Sequence, residues 1–253
     1  MSAEAVVFMS DAHLGAESRE REAPREALLV DFLENLPARA SELIVLGDLF
    51  DFWFEYASSI PRRHFRVLSA LAELRRRGLP ITYLGGNHDF WVGSFLRDEV
   101  GVRLHDGALA MDAQGRRLWI HHGDGLIGGD IGYKVLKKIL RHPASVALYR
   151  TIHPDLGIPF ASWVSGTSRH SRDQRVLDGE RLVREIARPR FAEGFDGVMV
   201  GHFHQVFEHH EDGRDFFVLG DWIQRFSYAV LEGGALRLER WTESGPAPVR
   251  TSP

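Results

Sequence analysis

The chain has 253 residues, 44% of them apolar, enough to bury a sizeable core in one large domain or two small ones. Its 31 Lys and Arg are balanced by 35 Asp and Glu, so the overall charge gives no reason to expect a nucleic-acid partner. The chain has no cysteine, which excludes disulfides, thiolate metal sites and cysteine nucleophiles, so any metal must be bound by histidine, carboxylate or amide groups.

The N-terminal part of the chain alternates between apolar runs and amphipathic segments. Residues 5–10, 42–48 and 79–87 are typical of buried strands, whereas residues 24–37 and 61–78 have helical spacing and begin with proline. This order predicts a parallel sheet that is covered by helices. In such sheets ligands bind at the carboxyl ends of the strands.

The C-terminal part predicts shorter elements. Residues 102–124 are expected to form short strands, and a helix is expected near residues 178–191. Residues 130–175 are helical, amphipathic and broken by prolines, and we interpret them as a cap inserted into a single domain that spans residues 1–253. Alternating apolar residues near the C-terminus predict antiparallel strands, followed by a mobile tail at residues 244–253.

The N-terminus lacks the basic and apolar regions of a signal peptide. No apolar run approaches the roughly 20 residues that span a bilayer. We therefore expect a cytoplasmic protein.

Polar side chains cluster at the ends of five predicted strands. The clusters are Asp11 with His13, Asp48, Asn87 with His88 and Asp89, His121 and His122 before Asp124, and His202 with His204. Each cluster alone is more often a turn or a cap, but five on separate strands are hard to explain in that way. Residues two apart in a strand point to the same side, which predicts that Asp11 projects together with His13 and that His202 projects together with His204.

Oxygen and imidazole ligands without thiolates suit Mn²⁺, Fe²⁺ or Zn²⁺. Seven good donors are too many for one catalytic ion that keeps open positions. They favour two divalent ions about 3.5 to 4 Å apart that share a carboxylate and an activated water. Such a pair neutralises charge on phosphoryl oxygens, so the expected substrate is a phosphate ester or anhydride.

The ordered blocks D-x-H, GD, GNHD, HGD and GHxH resemble the signature of the calcineurin-like metallophosphoesterases. The resemblance implies an α/β fold of the four-layer αββα sandwich type. It also implies one ion on Asp11, His13 and His204, a second ion on Asn87, His122 and His202, and Asp48 as the bridge between them.

The same resemblance implies catalytic roles for His88 and Asp89. His88 would hydrogen-bond a phosphate oxygen and help protonate the leaving group, which requires a donor that titrates near the operating pH. Asp89 would orient His88 or the backbone around it. His121 should point away from the site and pack or cap, and Asp51 is either a support of the site or a solvated loop carboxylate.

The segment after His122 resembles a narrower family, the UDP-2,3-diacylglucosamine hydrolases, which share its H-G-D-x-L and D-x-x-Y pattern. That resemblance implies hydrolysis of a pyrophosphate bond to an acylated sugar 1-phosphate and UMP in lipid A biosynthesis. Asp130 and Tyr133 would then contact the substrate together with Asn87 and His88. One departure is GNHD where the family pattern is GNRD, and arginine is a permanent bidentate clamp whereas histidine titrates.

Two interpretations of the cap remain open. Residues 130–175 carry eight lysines and arginines against three aspartates, a net charge of +5, beside apolar residues at helical spacing. Such a segment rests on the anionic cytoplasmic face of an inner membrane and receives an acylated substrate, or it packs its apolar side on the protein body. Two alternative functions also remain, a phosphodiesterase or pyrophosphatase acting on nucleotides and a non-catalytic scaffold that binds a partner through the cap.

Overall fold

Two β-sheets form the centre of the protein in the computed structural model, which describes residues 5–56, 58–128, 138–161 and 178–249. The strands are β1 (Ala5–Met9), β2 (Ala40–Val45), β3 (Ile81–Leu84), β4 (Arg103–His105), β5 (Leu109–Ala113), β6 (Arg116–His121), β7 (Gly197–Val200), β8 (Val206–Glu211), β9 (Arg214–Leu219), β10 (Ser227–Glu232), β11 (Ala235–Thr242) and β12 (Gly245–Pro248). Within the described residues one sheet has the order β12-β11-β10-β1-β2-β3-β4, and the other has the order β5-β6-β7-β9-β8. Strands β1 to β4 pair in parallel, as do β6, β7 and β9, so several carboxyl ends lie at the same edge.

Helices cover the outer faces of both sheets, and one further helix, Pro143–Tyr149, lies in the cap. They are α1 (Arg19–Asn35), α2 (Phe65–Arg76), α3 (Phe95–Asp98), α4 (Pro143–Tyr149), α5 (Gly179–Leu182) and α6 (Arg188–Ala192), with a π turn at Val183–Ala187 between the last two. Residues 138–140 and 154–161 are also helical, which agrees with the helical character expected for the cap.

Side chains of β1 alternate between two hydrophobic cores because successive residues of a strand point to opposite faces. Val6 and Phe8 pack between the sheets with Ile120 of β6, whereas Val7 packs against Phe32 of α1 on the outer face. A third core lies between the second sheet and residues 179–192. The layers are therefore helix, sheet, sheet and helix, and the predicted αββα sandwich is confirmed.

The prediction of a mobile tail is wrong for Gly245–Pro248, which forms strand β12 and pairs antiparallel with β11. Its prolines are tolerated because β12 is an edge strand and leaves one side of its backbone without a partner strand. The predicted division into one domain with an inserted cap at residues 130–175 stays a prediction, since the described residues include only 138–161 of that segment.

Candidate metal centre

The five predicted clusters meet at one edge of the sandwich, beyond the carboxyl ends of β1, β2, β3, β6 and β7. Hydrogen bonds continue between the loops after the strands end, and His13 N donates to Asp48 O at 2.9 Å. Gly201 N donates to His122 O at 2.8 Å in the same way. A bond from His202 N to Asp11 Oδ2, at 2.8 Å, connects the two sheets.

Five of the seven expected ligands have a left-handed backbone. They are Asp11, His13, Asp48, His202 and His204, with φ between 44° and 72°. For residues other than glycine this conformation costs on the order of 1 kcal/mol or more each, and such strain is concentrated at functional sites.

This backbone corrects one expectation from the sequence. Strand alternation was expected to align Asp11 with His13, but β1 ends at Met9, and β7 ends at Val200 before His202. The left-handed turns, not the strands, direct these side chains inward.

Asp11, His13 and His204 form the first cluster of possible metal ligands. His13 Nε2 and His204 Nε2 are 3.0 Å apart, and Asp11 Oδ1 lies 3.4 Å from His204 Nε2 and 3.7 Å from His13 Nε2. Two ligand atoms that are each about 2.1 Å from one ion lie about 3.0 to 3.4 Å apart. The spacing of the first cluster is therefore close to that of ligands around a single ion.

Asp48, His122 and His202 form the second cluster. His122 Nε2 is 3.2 Å from Asp48 Oδ2 and 3.3 Å from His202 Nδ1. The side-chain oxygen of Asn87 lies 3.1 Å from the same nitrogen of His122. His122 Nδ1 is 2.7 Å from Leu46 O and can donate to it, which leaves Nε2 as the nitrogen available to an ion.

Asp48 lies between the two clusters. Its Oδ2 atom is 3.6 Å from His13 Nε2 in the first cluster and 3.2 Å from His122 Nε2 in the second. Its Oδ1 atom accepts a hydrogen bond from His88 N at 2.8 Å, which orients the carboxylate. Asp48 thus occupies the place that a bridging ligand requires.

Two buried carboxylate oxygens test whether these residues fit a pair of cations. Among the described residues, Asp11 Oδ1 and Asp48 Oδ2 have no hydrogen-bond partner, although both side chains are almost completely buried. A buried carboxylate oxygen is costly when nothing compensates its charge. Both oxygens face histidine nitrogens across the distances given above, so the donor set fits divalent cations.

The protein groups alone concentrate negative charge at this edge. Burial by itself would raise the pKa of Asp11, but the neighbouring His13 and His204 outweigh it and hold that pKa below its ordinary value. Burial would likewise lower the pKa of His122, yet the charge of Asp48 and the contact with it raise that pKa to about 10. Cations that bind here displace protons from such histidines, so ion binding and proton release are coupled.

His88 lies beside the first cluster and is 7% exposed. Its ring meets that of His13 edge-on, with centroids 4.6 Å apart. His88 Nδ1 lies 3.1 Å from the backbone oxygen of Asp51 and can donate to it, an arrangement that selects one tautomer of the ring.

Asp51 is a support of the site and not a solvated loop carboxylate. It is 1% exposed, and its Oδ1 atom lies 3.2 Å from His13 Nδ1 and 3.6 Å from His88 Nδ1. A carboxylate on Nδ1 directs the opposite nitrogen of His13 toward the cluster. The sequence left both interpretations of Asp51 open.

Asp89 supports the backbone and lies behind the ligands. Its carboxylate accepts hydrogen bonds from the amides of Asp48, Phe50 and Gly86 and from the hydroxyl of Tyr83. Burial and then the charge of Asp48 raise the pKa of Asp89 to about 6. Of the two roles expected for Asp89, these contacts match the orientation of the surrounding backbone.

A buried ion pair behind the first cluster was not identified from the sequence. Arg25 donates to Ala12 O at 2.6 Å and to His13 O at 3.3 Å, and it pairs with Glu22 at 2.7 Å. Glu22 also accepts from Gly15 N at 2.7 Å. These residues lie in helix α1, and nothing in their local sequence pattern indicates that they contact the loop that follows β1.

Other expectations have mixed outcomes. His121 stacks on Trp119 and accepts a hydrogen bond from Gly123 N at 2.8 Å, so its predicted packing and capping role is confirmed. Asp130 and Tyr133, the expected substrate contacts, lie outside the described residues. Aromatic residues of the loops after β2 and β3 also pack together, and Phe54 and Trp91 both contact Tyr149 of the cap.

Residues 5–206 match the family model of the calcineurin-like phosphoesterases. The chain belongs to the calcineurin-like phosphoesterase family. A UDP-2,3-diacylglucosamine hydrolase of Porphyromonas gingivalis is 31% identical over 92% of this chain and 96% of its own. Another of that name, from Aeromonas salmonicida, is 31% identical over 93% of both chains. A crystal structure of wild-type Vps29 complexed with zinc from Entamoeba histolytica covers 96% of both chains at 10% identity and a TM-score of 0.46, too low a likeness to support an argument.

Membership in the calcineurin-like phosphoesterases confirms the predicted metal-dependent hydrolase. Members of this family use a two-metal centre, and the two clusters around Asp48 are candidate groups for it. The assignment of each ligand to one ion, the roles of His88 and Asp89, and the identity of the ions stay predictions.

Proposed function

We propose that this phosphoesterase hydrolyses the pyrophosphate bond of UDP-2,3-diacylglucosamine, giving 2,3-diacylglucosamine 1-phosphate and UMP, in lipid A biosynthesis. The observation that carries the proposal is the 31% identity, over almost the whole chain, to a hydrolase of that name. One water is consumed, and its oxygen is retained on the phosphorus that it attacks.

The proposed ligands are Asp11, His13 and His204 for one ion, Asn87, His122 and His202 for the other, and Asp48 for both. Two divalent ions in these positions supply an activated water and neutralise charge on phosphoryl oxygens. We propose Mn²⁺ as the ion, with Fe²⁺ or Zn²⁺ as the alternatives that the same donors accept. Elemental analysis of protein purified without added metal tests this choice.

His88 is the proposed donor to the reacting phosphate and to the leaving group. Its Nδ1 is directed toward Asp51 O, so Nε2 is the atom that would exchange a proton with the substrate. Asp89 has a positioning role in this scheme, because its carboxylate holds the amides of Gly86 and Asp48.

The proposed function is tested by comparing the turnover of two substrates and the turnover of variants at two adjacent histidines. Mn²⁺-loaded protein should hydrolyse UDP-2,3-diacylglucosamine faster than a soluble diester such as bis(4-nitrophenyl) phosphate. His122→Ala should lose turnover by disordering an ion, whereas His121→Ala should retain most of it, since His121 packs on Trp119. Equal turnover of the diester and indifference to acyl chains would instead favour a nucleotide phosphodiesterase. Bound ions without turnover of any phosphate compound would favour the scaffold.

We further propose that the cap contacts the cytoplasmic surface of a membrane and takes up the acylated substrate there. Five large apolar side chains in the described part of the cap are at least 39% exposed, namely Ile139, Leu148, Ile152, Leu156 and Phe160. Such exposed side chains beside basic residues are typical of segments that lie in the interface of an anionic bilayer. No helix in the described part of the chain is long and apolar enough to cross a membrane.

Sedimentation with vesicles tests the membrane contact. Leu148→Asp and Leu156→Asp should each reduce binding to vesicles that contain phosphatidylglycerol. Phe65→Asp is the matched control, because Phe65 is also 71% exposed but lies in α2, outside the cap. Binding that is unchanged by both cap variants would refute the proposed contact.

A further inference from the structure

Arg141 brings a guanidinium from the cap to the loop that carries Asn87 and His88. Its Nη2 atom donates to Gly86 O at 3.1 Å, and its guanidinium lies 5.1 Å from the centre of the Phe90 ring. Trp91 of the same loop donates from Nε1 to Leu140 O at 2.9 Å. Arg141 is thus fixed against this loop from two sides.

Gly86 places Arg141 close to the metal centre. A Cβ atom built on Gly86 would lie 2.0 Å from Asp48 Oδ1. With ordinary backbone bond lengths, Arg141 Nη2 is then within about 9 Å of that oxygen.

The surroundings of the Arg141 guanidinium differ from those of Arg25, which was described above beside the loop of Ala12 and His13. Arg25 pairs with Glu22 at 2.7 Å and donates to the backbone oxygens of Ala12 and His13. Within the described residues Arg141 has no carboxylate partner, and its side-chain contacts are the Gly86 oxygen and the Phe90 ring. A guanidinium has five donors, and within the described residues one of those of Arg141 is hydrogen-bonded, to Gly86 O.

A diphosphate requires more positive charge than a single phosphate. Two ions compensate the phosphoryl group that reacts, whereas the second group is one bridging oxygen further away. A planar guanidinium binds the oxygens of such a group with two parallel hydrogen bonds.

We propose that Arg141 binds the phosphoryl group that does not react and thereby makes the site selective for diphosphates over phosphate monoesters and simple diesters. This inference rests on the proposed function, since it assumes that the substrate contains a pyrophosphate bond. It places a substrate-binding residue in the described part of the cap, against the loop that carries Asn87 and His88.

Calorimetry with inorganic pyrophosphate and inorganic phosphate tests the role without relying on turnover. In the Mn²⁺-loaded full chain, Arg141→Ala should weaken pyrophosphate binding about 10- to 100-fold, the loss typical of a charge-assisted contact, and phosphate binding less than about threefold. Arg141→Lys should lose only part of the affinity, because lysine keeps the charge without the planar fork. With the acylated substrate, Arg141→Ala should raise KM more than it lowers kcat.

Two control variants distinguish binding of pyrophosphate by Arg141 from an indirect effect of loosening the contact between the cap and the loop. Trp91→Phe removes the hydrogen bond to Leu140 O but leaves Arg141, so the preference for pyrophosphate should persist. Lys138→Ala removes an exposed cation of the same cap and should change neither affinity.

Equal losses for phosphate and pyrophosphate in Arg141→Ala, or the same loss in Trp91→Phe, would overturn the inference. If Arg141→Ala binds fewer ions than the wild-type protein, its affinity for pyrophosphate cannot be interpreted and Arg141→Lys becomes the test. The inference then requires that Arg141→Lys bind pyrophosphate at least about threefold more weakly than the wild-type protein. A wild-type protein that does not hydrolyse UDP-2,3-diacylglucosamine, yet prefers pyrophosphate through Arg141, would refute the proposed substrate and leave the role of Arg141 intact.

Discussion

Gly86→Ala adds a single methyl group, and it should displace Asp48, the proposed bridge between the two candidate ion sites. The added methyl carbon would lie 2.0 Å from Asp48 Oδ1 and 2.6 Å from Asp48 N. The backbone nitrogen cannot rotate away, so rotation of the Asp48 carboxylate does not relieve the clash by itself, and the loop that carries Asn87 must also move. Both carry proposed ligands.

The size of the displacement follows from ordinary van der Waals spacing. Contact without strain begins at 3.4 Å. The added methyl carbon would lie 2.0 Å from Asp48 Oδ1, so the distance between these two atoms has to increase by about 1.4 Å. Metal–ligand distances are maintained to within about 0.2 Å, so a bridging carboxylate cannot hold both ions after such a shift. A misplacement of about 1 Å near the reacting atoms costs on the order of 100-fold in rate, or roughly 2.7 kcal/mol of transition-state stabilisation.

The assay combines ion content with turnover of a soluble diester. Gly86→Ala should bind fewer than two ions per chain by elemental analysis and lose at least about 100-fold in kcat. Gly85→Ala is the matched control, because its Cβ would meet Phe90 Cα at 3.6 Å, an ordinary contact. A Gly86→Ala protein with two bound ions and wild-type turnover would refute the bridging position of Asp48.

Three other predictions concern the same edge of the sandwich and its support. Chelation should abolish turnover and Mn²⁺ should restore it, whereas full activity in protein shown by elemental analysis to be free of metal would contradict the two-metal mechanism. His88→Arg should retain hydrolysis of UDP-2,3-diacylglucosamine if residue 88 mainly binds phosphate, and near-complete loss would show that a titratable proton donor is needed. Burial and then the charge of Arg63 lower the pKa of His64 to about 3, so the neutral ring stabilises the fold at neutral pH, and this contribution declines as the pH falls from about 6.5 toward 3. His64→Phe should therefore flatten the acid side of the stability curve by up to about 1.4 kcal/mol per pH unit in urea unfolding, and identical slopes for the two proteins would contradict the buried neutral histidine.

Much of the fold could be predicted because its signals are local. Apolar runs that end in polar residues marked β1, β2 and β3, and helical spacing marked α1 and α2 between them, which required parallel pairing. The short strand β12 could not be predicted in this way, because Pro246 and Pro248 are typical of loops. Only the free edge that β11 offers makes them part of a sheet.

Residue types and their order along the chain identified the family and the seven candidate ligands, because metal chemistry depends on donor atoms that each residue carries with it. Where those donors point was decided by tertiary structure. Left-handed turns at five candidate ligands, the proximity of Asp48 to both clusters, and the contacts of Asp51 with two histidines depend on loops from separate strands being held together. The same holds for Arg141, whose contact with Gly86 joins positions 55 residues apart. Local sequence determines which donor groups are available, whereas packing of the two sheets and the cap determines the distances between those groups, on which their chemistry depends.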